Sequence, residues 1–126
     1  MLVLHIKKKW FDMILSKKKT EEYREIKPYY ITRFKNILKD SFKRRLLLSD
    51  EQFIKVLTFT ISLPFTVKFI NGYGNNRPYI IAEVRLTVDE GYEDWGAEPG
   101  LEYFVLIIDR IKKTGNLENC YTKEES

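Results

Sequence analysis

The chain has 126 residues, 44% of them hydrophobic and 14% aromatic, which suits one domain with a single core and excludes a disordered polar segment. One cysteine, Cys120, and one histidine, His5, exclude an internal disulfide framework and a structural zinc site, and no stretch nears the roughly 20 apolar residues of a membrane span. The net charge of +4 conceals an asymmetry: residues 1–45 carry 14 Lys and Arg against 5 Asp and Glu, whereas residues 46–126 carry 8 against 13.

In chain order, "LVLHI" (2–6) predicts a short strand, in which His5 is read as a strand residue rather than a ligand. "KKKWFDMILSKK" sets Trp10, Phe11, Ile14 and Leu15 at helical spacing, so an amphipathic helix follows. "TEEYREI" reads as a strand with Thr20, Glu22, Arg24 and Ile26 on one face and Glu21, Tyr23 and Glu25 on the other. Pro28 stops that strand and opens a second helix over "PYYITRFKNILK", whose apolar stripe is Tyr30, Phe34, Ile37 and Leu38. "SFKRRLLLSDEQF" holds a turn or short helix, with Ser49 as a candidate N-cap and Gln52 three residues on.

From Phe59 onward strands are expected. "FTISLPFTVKFI" is rich in β-branched and aromatic residues, but Pro64 demands a break, a bulge or an edge. "NGYGNNRP" (71–78) reads as a tight loop, with Asn71-Gly72 as its natural hairpin turn before "YIIAEVRLTV", and the loop "DEGYEDWGAEPG" leads into "EYFVLIIDRI". The polar residues 112–126 read as a C-terminal tail outside a single domain of residues 1–111. This order predicts an α+β fold: a small β-barrel of about five or six strands, with two or three helices mainly in the N-terminal half. A doubly wound sheet is excluded, since it needs regular βαβ alternation and a glycine-rich phosphate loop.

Function is sought first in the basic third, because clustered Lys and Arg create the potential that attracts phosphates. The runs "KKK" (7–9) and "KRR" (43–45) are nonetheless ordinary solvated charge. The stretch "SKKKTEEYR" is different, since it resembles the signature of the ASCH domain family, Gly-x-Lys-x-x-Glu-x-Arg. Lys19, Glu22 and Arg24 match its Lys, Glu and Arg, and Lys17 stands where the pattern has glycine. "FINGYGNNRP" and "WGAEPGLEYFVL" also look like a phage-type subgroup of these domains. The resemblance implies a PUA-like barrel with an RNA-binding cleft lined by Lys19, Glu22 and Arg24.

The residue chemistry is compatible with that implication. Lysine and arginine neutralise phosphate, and a carboxylate accepts from base amino groups or ribose hydroxyls. Tyr73 and Trp95, each in a glycine-flanked loop, are candidate stacking surfaces, and Asn71 is a candidate reader of a base edge. The expected ligand is therefore RNA or a modified nucleotide. The alternative is a small hydrolase acting on an acylated nucleoside or RNA, with Lys19 and Glu22 as its working pair. The resemblance brings in this alternative because some members of that wider family look like hydrolases that deacylate acetylated cytidine with a lysine, a threonine and a glutamate, but the threonine position here is Glu22. His5 lacks the second histidine of a nuclease pair, and "DEGYEDWGAE" lacks the spacing of a calcium loop. No cofactor, metal or membrane partner is expected, protein partners are left open, and a cytoplasmic location is anticipated.

Overall fold

The computed structural model describes residues 1–42 and 48–121, so the "KRR" run lies outside the described residues. The elements are β1 (Leu2–Ile6), α1 (Lys8–Leu15), β2 (Glu21–Arg24), α2 (Pro28–Phe42), α3 (Asp50–Phe59), β3 (Phe65–Asn71), β4 (Tyr79–Glu90), a 3-10 turn (Glu93–Trp95), β5 (Glu102–Gly115) and a closing 3-10 segment (Leu117–Tyr121). The fold is α+β.

Local chemistry explains most of these boundaries. α1 ends in a Schellman motif: the Lys17 N–H donates to Ile14 O and the Lys18 N–H to Met13 O, with Lys17 in the left-handed region at φ 66°. α3 begins with a complete capping box, in which Ser49 Oγ accepts from Gln52 N and Gln52 Oε1 accepts from Ser49 N. That element, expected as a turn or short helix, runs for 10 residues to Phe59. Pro64 has no N–H for a sheet ladder, and β3 accordingly starts one residue later.

The strands form one mixed sheet in the order β1-β3-β4-β5-β2, parallel only between β1 and β3. Strict alternation along β3 and β4 sends Val67, Phe69, Ile80, Ala82, Val84 and Leu86 into the core. All three helices cover this face through Phe11, Ile14, Phe34, Leu38, Phe53 and Leu57. Each fully buried Phe or Leu side chain contributes about 1.5–3 kcal/mol, so this layer carries most of the stability. On the opposite face of β2 and β5, Tyr23, Tyr103 and Val105 form a second, smaller cluster with Ala97 of the loop that follows β4.

The sheet does not close into the barrel that the sequence suggests. β1 and β2 are its two edges, and among the described residues no backbone ladder joins them. They come within reach of one side chain, because Arg24 Nη2 of β2 donates to His5 O of β1 at 3.1 Å. The curl that brings the edges together accompanies two register shifts in the β4–β5 ladder, which leave Asp109 and Lys112 without opposite partners. Such bulges add twist and bend the strand.

The loop expected over 71–78 is present, but Asn71 ends β3 and β4 starts at Tyr79, so seven residues make the connection rather than an Asn71-Gly72 turn alone. The end of the last strand differs from the expectation. β5 continues four residues past Ile111, because Lys113, Thr114 and Gly115 pair with Ile81, Ile80 and Tyr79.

Candidate functional site

β2 and the turn before it bring Lys19 and Arg24 to the carboxylate of Glu22. Lys19 follows directly from the helix cap, where its own N–H joins that of Lys18 on Met13 O. Glu22 Oε1 receives Lys19 Nζ at 2.8 Å, and Glu22 Oε2 receives Arg24 Nη1 at 2.6 Å. Lys19 and Glu22 are 2% and 4% exposed and Arg24 is partly buried beside them, so the chain carries a Lys–Glu–Arg triad with a buried Lys–Glu pair and one net positive charge. Moving such ions out of water costs several kcal/mol each, and that cost is offset only when their remaining hydrogen-bonding groups are also satisfied.

The surroundings supply those partners. Lys19 Nζ also donates to Trp95 O at 2.8 Å and lies 4.1 Å from the centre of the Trp10 ring. Burial lowers the Lys19 ammonium below the ordinary lysine range, and the charge and hydrogen bond of Glu22 work against that fall. Arg24 Nη1 donates to Tyr23 O as well as to Glu22, while Nη2 reaches His5 O. Among the described residues Nε and the second Nη2 proton have no hydrogen-bond partner, so Arg24 retains two donors. Its guanidinium lies 5.9 Å from the centre of the Tyr30 ring.

The triad forms one wall of an open cavity of about 450 Å³. Aromatic side chains supply much of the rest: Trp10 from α1, Tyr30 from α2, Trp95 from the 3-10 turn and Tyr103 from β5. At the rim stand the exposed Lys7 and Lys27 together with Glu25 and Glu98. Trp95 is held against Tyr92 edge to face, with ring centres 4.9 Å apart. Its loop is pinned where the Tyr92 N–H donates to Tyr23 Oη and the Glu98 N–H to Tyr103 Oη.

Of the six candidates, Lys19, Glu22, Arg24 and Trp95 therefore share the cavity. Asn71 and Tyr73 do not line it. Asn71 is fully buried at the end of β3, where Nδ2 donates to Ile6 O and Oδ1 accepts from Arg77 Nη2; it braces the loop rather than facing a base. Tyr73 lies outside the cavity, exposed and stacked on His5. Trp10 and Tyr30 are cavity residues that the sequence reading assigns to apolar helix stripes, since periodicity identifies a face without saying what that face meets. Tyr103 is read there only as a residue of the last strand, and Lys27 is given no role. Among the described residues no group of three His, Cys, Asp or Glu is placed to hold a metal ion, and no helix is long and apolar enough to cross a membrane.

Comparison of the chain with family models, with curated proteins and with solved structures finds no match in any of the three.

Proposed function

We propose that this cavity binds a single nucleotide or an unstacked base of RNA, and that the chain is an ASCH-like module built on an opened relative of the PUA-like barrel, its last seam bridged by Arg24. The observation that carries the reading is the buried Lys19–Glu22 pair with the partly exposed Arg24 set in an aromatic-walled cavity. A volume near 450 Å³ falls within the range of small-ligand sites and is too small for a duplex. Trp10, Tyr30 and Trp95 offer ring faces or edges to a base, and the two remaining Arg24 donors suit phosphate or a base acceptor. Glu22 acts here as the anchor that holds both cations in place. The match of "SKKKTEEYR" to the family signature supports the same assignment.

One observation favours the hydrolase alternative, namely the lowered affinity of Lys19 for its proton beside Glu22. Against it, the ammonium is already engaged by Glu22, Trp95 O and the Trp10 ring, so acting as a base requires leaving all three. Binding is therefore the preferred reading.

The test is titration with the four nucleoside 5′-monophosphates and a mixed-sequence RNA hexamer, followed by calorimetry and by the fluorescence of Trp10 and Trp95. Binding is expected, and Arg24→Lys, which keeps the charge and loses the fork, should weaken it by about tenfold. In parallel, release of acetate from N4-acetylcytidine that stops on Lys19→Ala would establish the hydrolase instead. Absence of both binding and turnover would remove the cavity from consideration.

A further inference from the structure

Tyr73 is, with Asn71, one of two sequence candidates that the cavity does not absorb, and unlike the buried Asn71 it stands exposed on its loop. It is 79% exposed, yet its ring lies on that of His5 with centres 4.2 Å apart and planes 14° from parallel. His5 is itself a wall residue of the cavity. The stack is held from both sides. His5 Nδ1 is 2.7 Å from Gly72 O, which makes it the protonated ring nitrogen, and the His5 carbonyl accepts from Arg24. The loop is fixed at its root, where Gly72 N donates to Ile6 O, Asn71 N to Pro78 O, and Arg77 Nε to Asn71 O. Gly72, at φ 76°, permits the turn that returns Tyr73 over His5.

From this geometry we infer that the His5–Tyr73 pair is a second stacking platform, one step outside the cavity, and that the ligand is a single-stranded oligonucleotide of at least two nucleotides rather than a free mononucleotide. The inference rests on the nucleotide-binding reading of the cavity. The pair carries the aromatic surface of the cavity out over the edge of β1. A strand with one base among Trp10, Tyr30 and Trp95 meets the exposed face of Tyr73 with its neighbour. Stacking tolerates any base, so this platform selects for chain length rather than sequence.

Base stacking on an aromatic side chain is worth roughly 5- to 150-fold in affinity per base. The experiment compares the best-binding nucleoside 5′-monophosphate with a mixed-sequence RNA hexamer and its DNA counterpart, in the wild-type chain, Tyr73→Ala and Tyr73→Phe. The wild type should favour the hexamer over the monophosphate by at least about fivefold. In Tyr73→Ala this ratio should collapse toward one, and Tyr73→Phe should restore it. The DNA arm shows whether the platform reads base faces alone, in which case both hexamers keep the ratio, or a ribose as well, in which case only RNA does; either result supports the platform. A monophosphate that binds while the hexamer gains nothing, or a gain that survives Tyr73→Ala, overturns the platform and leaves the cavity reading standing. If neither probe binds, both fall together.

Discussion

A lysine in a glycine's conformation is the clearest residue-level feature of this chain. Lys17 sits at φ 66° because α1 ends in a Schellman motif whose next residue must turn left-handed, and an L side chain there costs about 1 kcal/mol. Lys17→Gly should therefore raise stability by roughly 0.5–1 kcal/mol, part of the relief being offset by glycine's greater freedom in the unfolded chain. Urea unfolding of the two proteins measures this, and an unchanged midpoint would mean that the strain is relieved elsewhere. In the sequence the position stands out only as a lysine where the pattern that the stretch resembles has glycine. Asn71 stands out less: a turn-forming Asn-Gly pair looks the same in sequence whether its amide faces a ligand or is buried against Ile6 O, as it is here.

At the scale of elements, the loop from Gly91 to Leu101 decides whether there is a cavity at all. Its carbonyl at Trp95 completes the Lys19 contacts, and its docking depends on close approach to β2. A Cβ at Gly91 would fall 2.6 Å from Tyr23 Cζ and 2.7 Å from Ala97 Cβ, distances that force something to move. Gly91→Ala should thus destabilise the fold by on the order of 2 kcal/mol and shift the Trp95 fluorescence as the loop lifts. A variant with wild-type stability and emission would show that the loop is not held this tightly. The capping box at Ser49 and Gln52 is the opposite case, a short-range device readable from four residues because both partners lie in one turn.

For the whole molecule, the buried charges predict a particular alkaline response. Lys19 is lowered by desolvation, so in the window just below the ordinary value near 10.5 the unfolded chain holds a proton that the fold has released, and stability rises with pH. Tyr23 is raised by burial, so above its ordinary value near 10.0 the fold keeps a proton that the unfolded chain loses, and stability falls. Comparing urea unfolding between pH 8 and 11, Tyr23→Phe should lose the decline above pH 10, and Lys19→Met should lose the rise below it. Equal slopes for Tyr23→Phe and the wild type above pH 10 would contradict the assignment. The curl of the sheet belongs to the same scale, because Arg24 links two edge strands that lie at opposite ends of the strand order.

By itself the sequence determined the elements and their faces: the strand at Leu2, the helix through Phe11 and Ile14, the break at Pro64, and the single basic segment in which Lys19, Glu22 and Arg24 stand together. These depend on period, caps and turn residues, which act over a few positions. The tertiary structure decided what those faces meet. It left the sheet open, because β2 pairs with β5 and, among the described residues, no backbone ladder joins it to β1, which Arg24 reaches by a side-chain hydrogen bond. It brought Trp10, Tyr30, Trp95 and Tyr103 to one cavity and sent Tyr73 to His5 instead. Contacts between residues dozens of positions apart depend on how whole layers pack, and no local pattern encodes that.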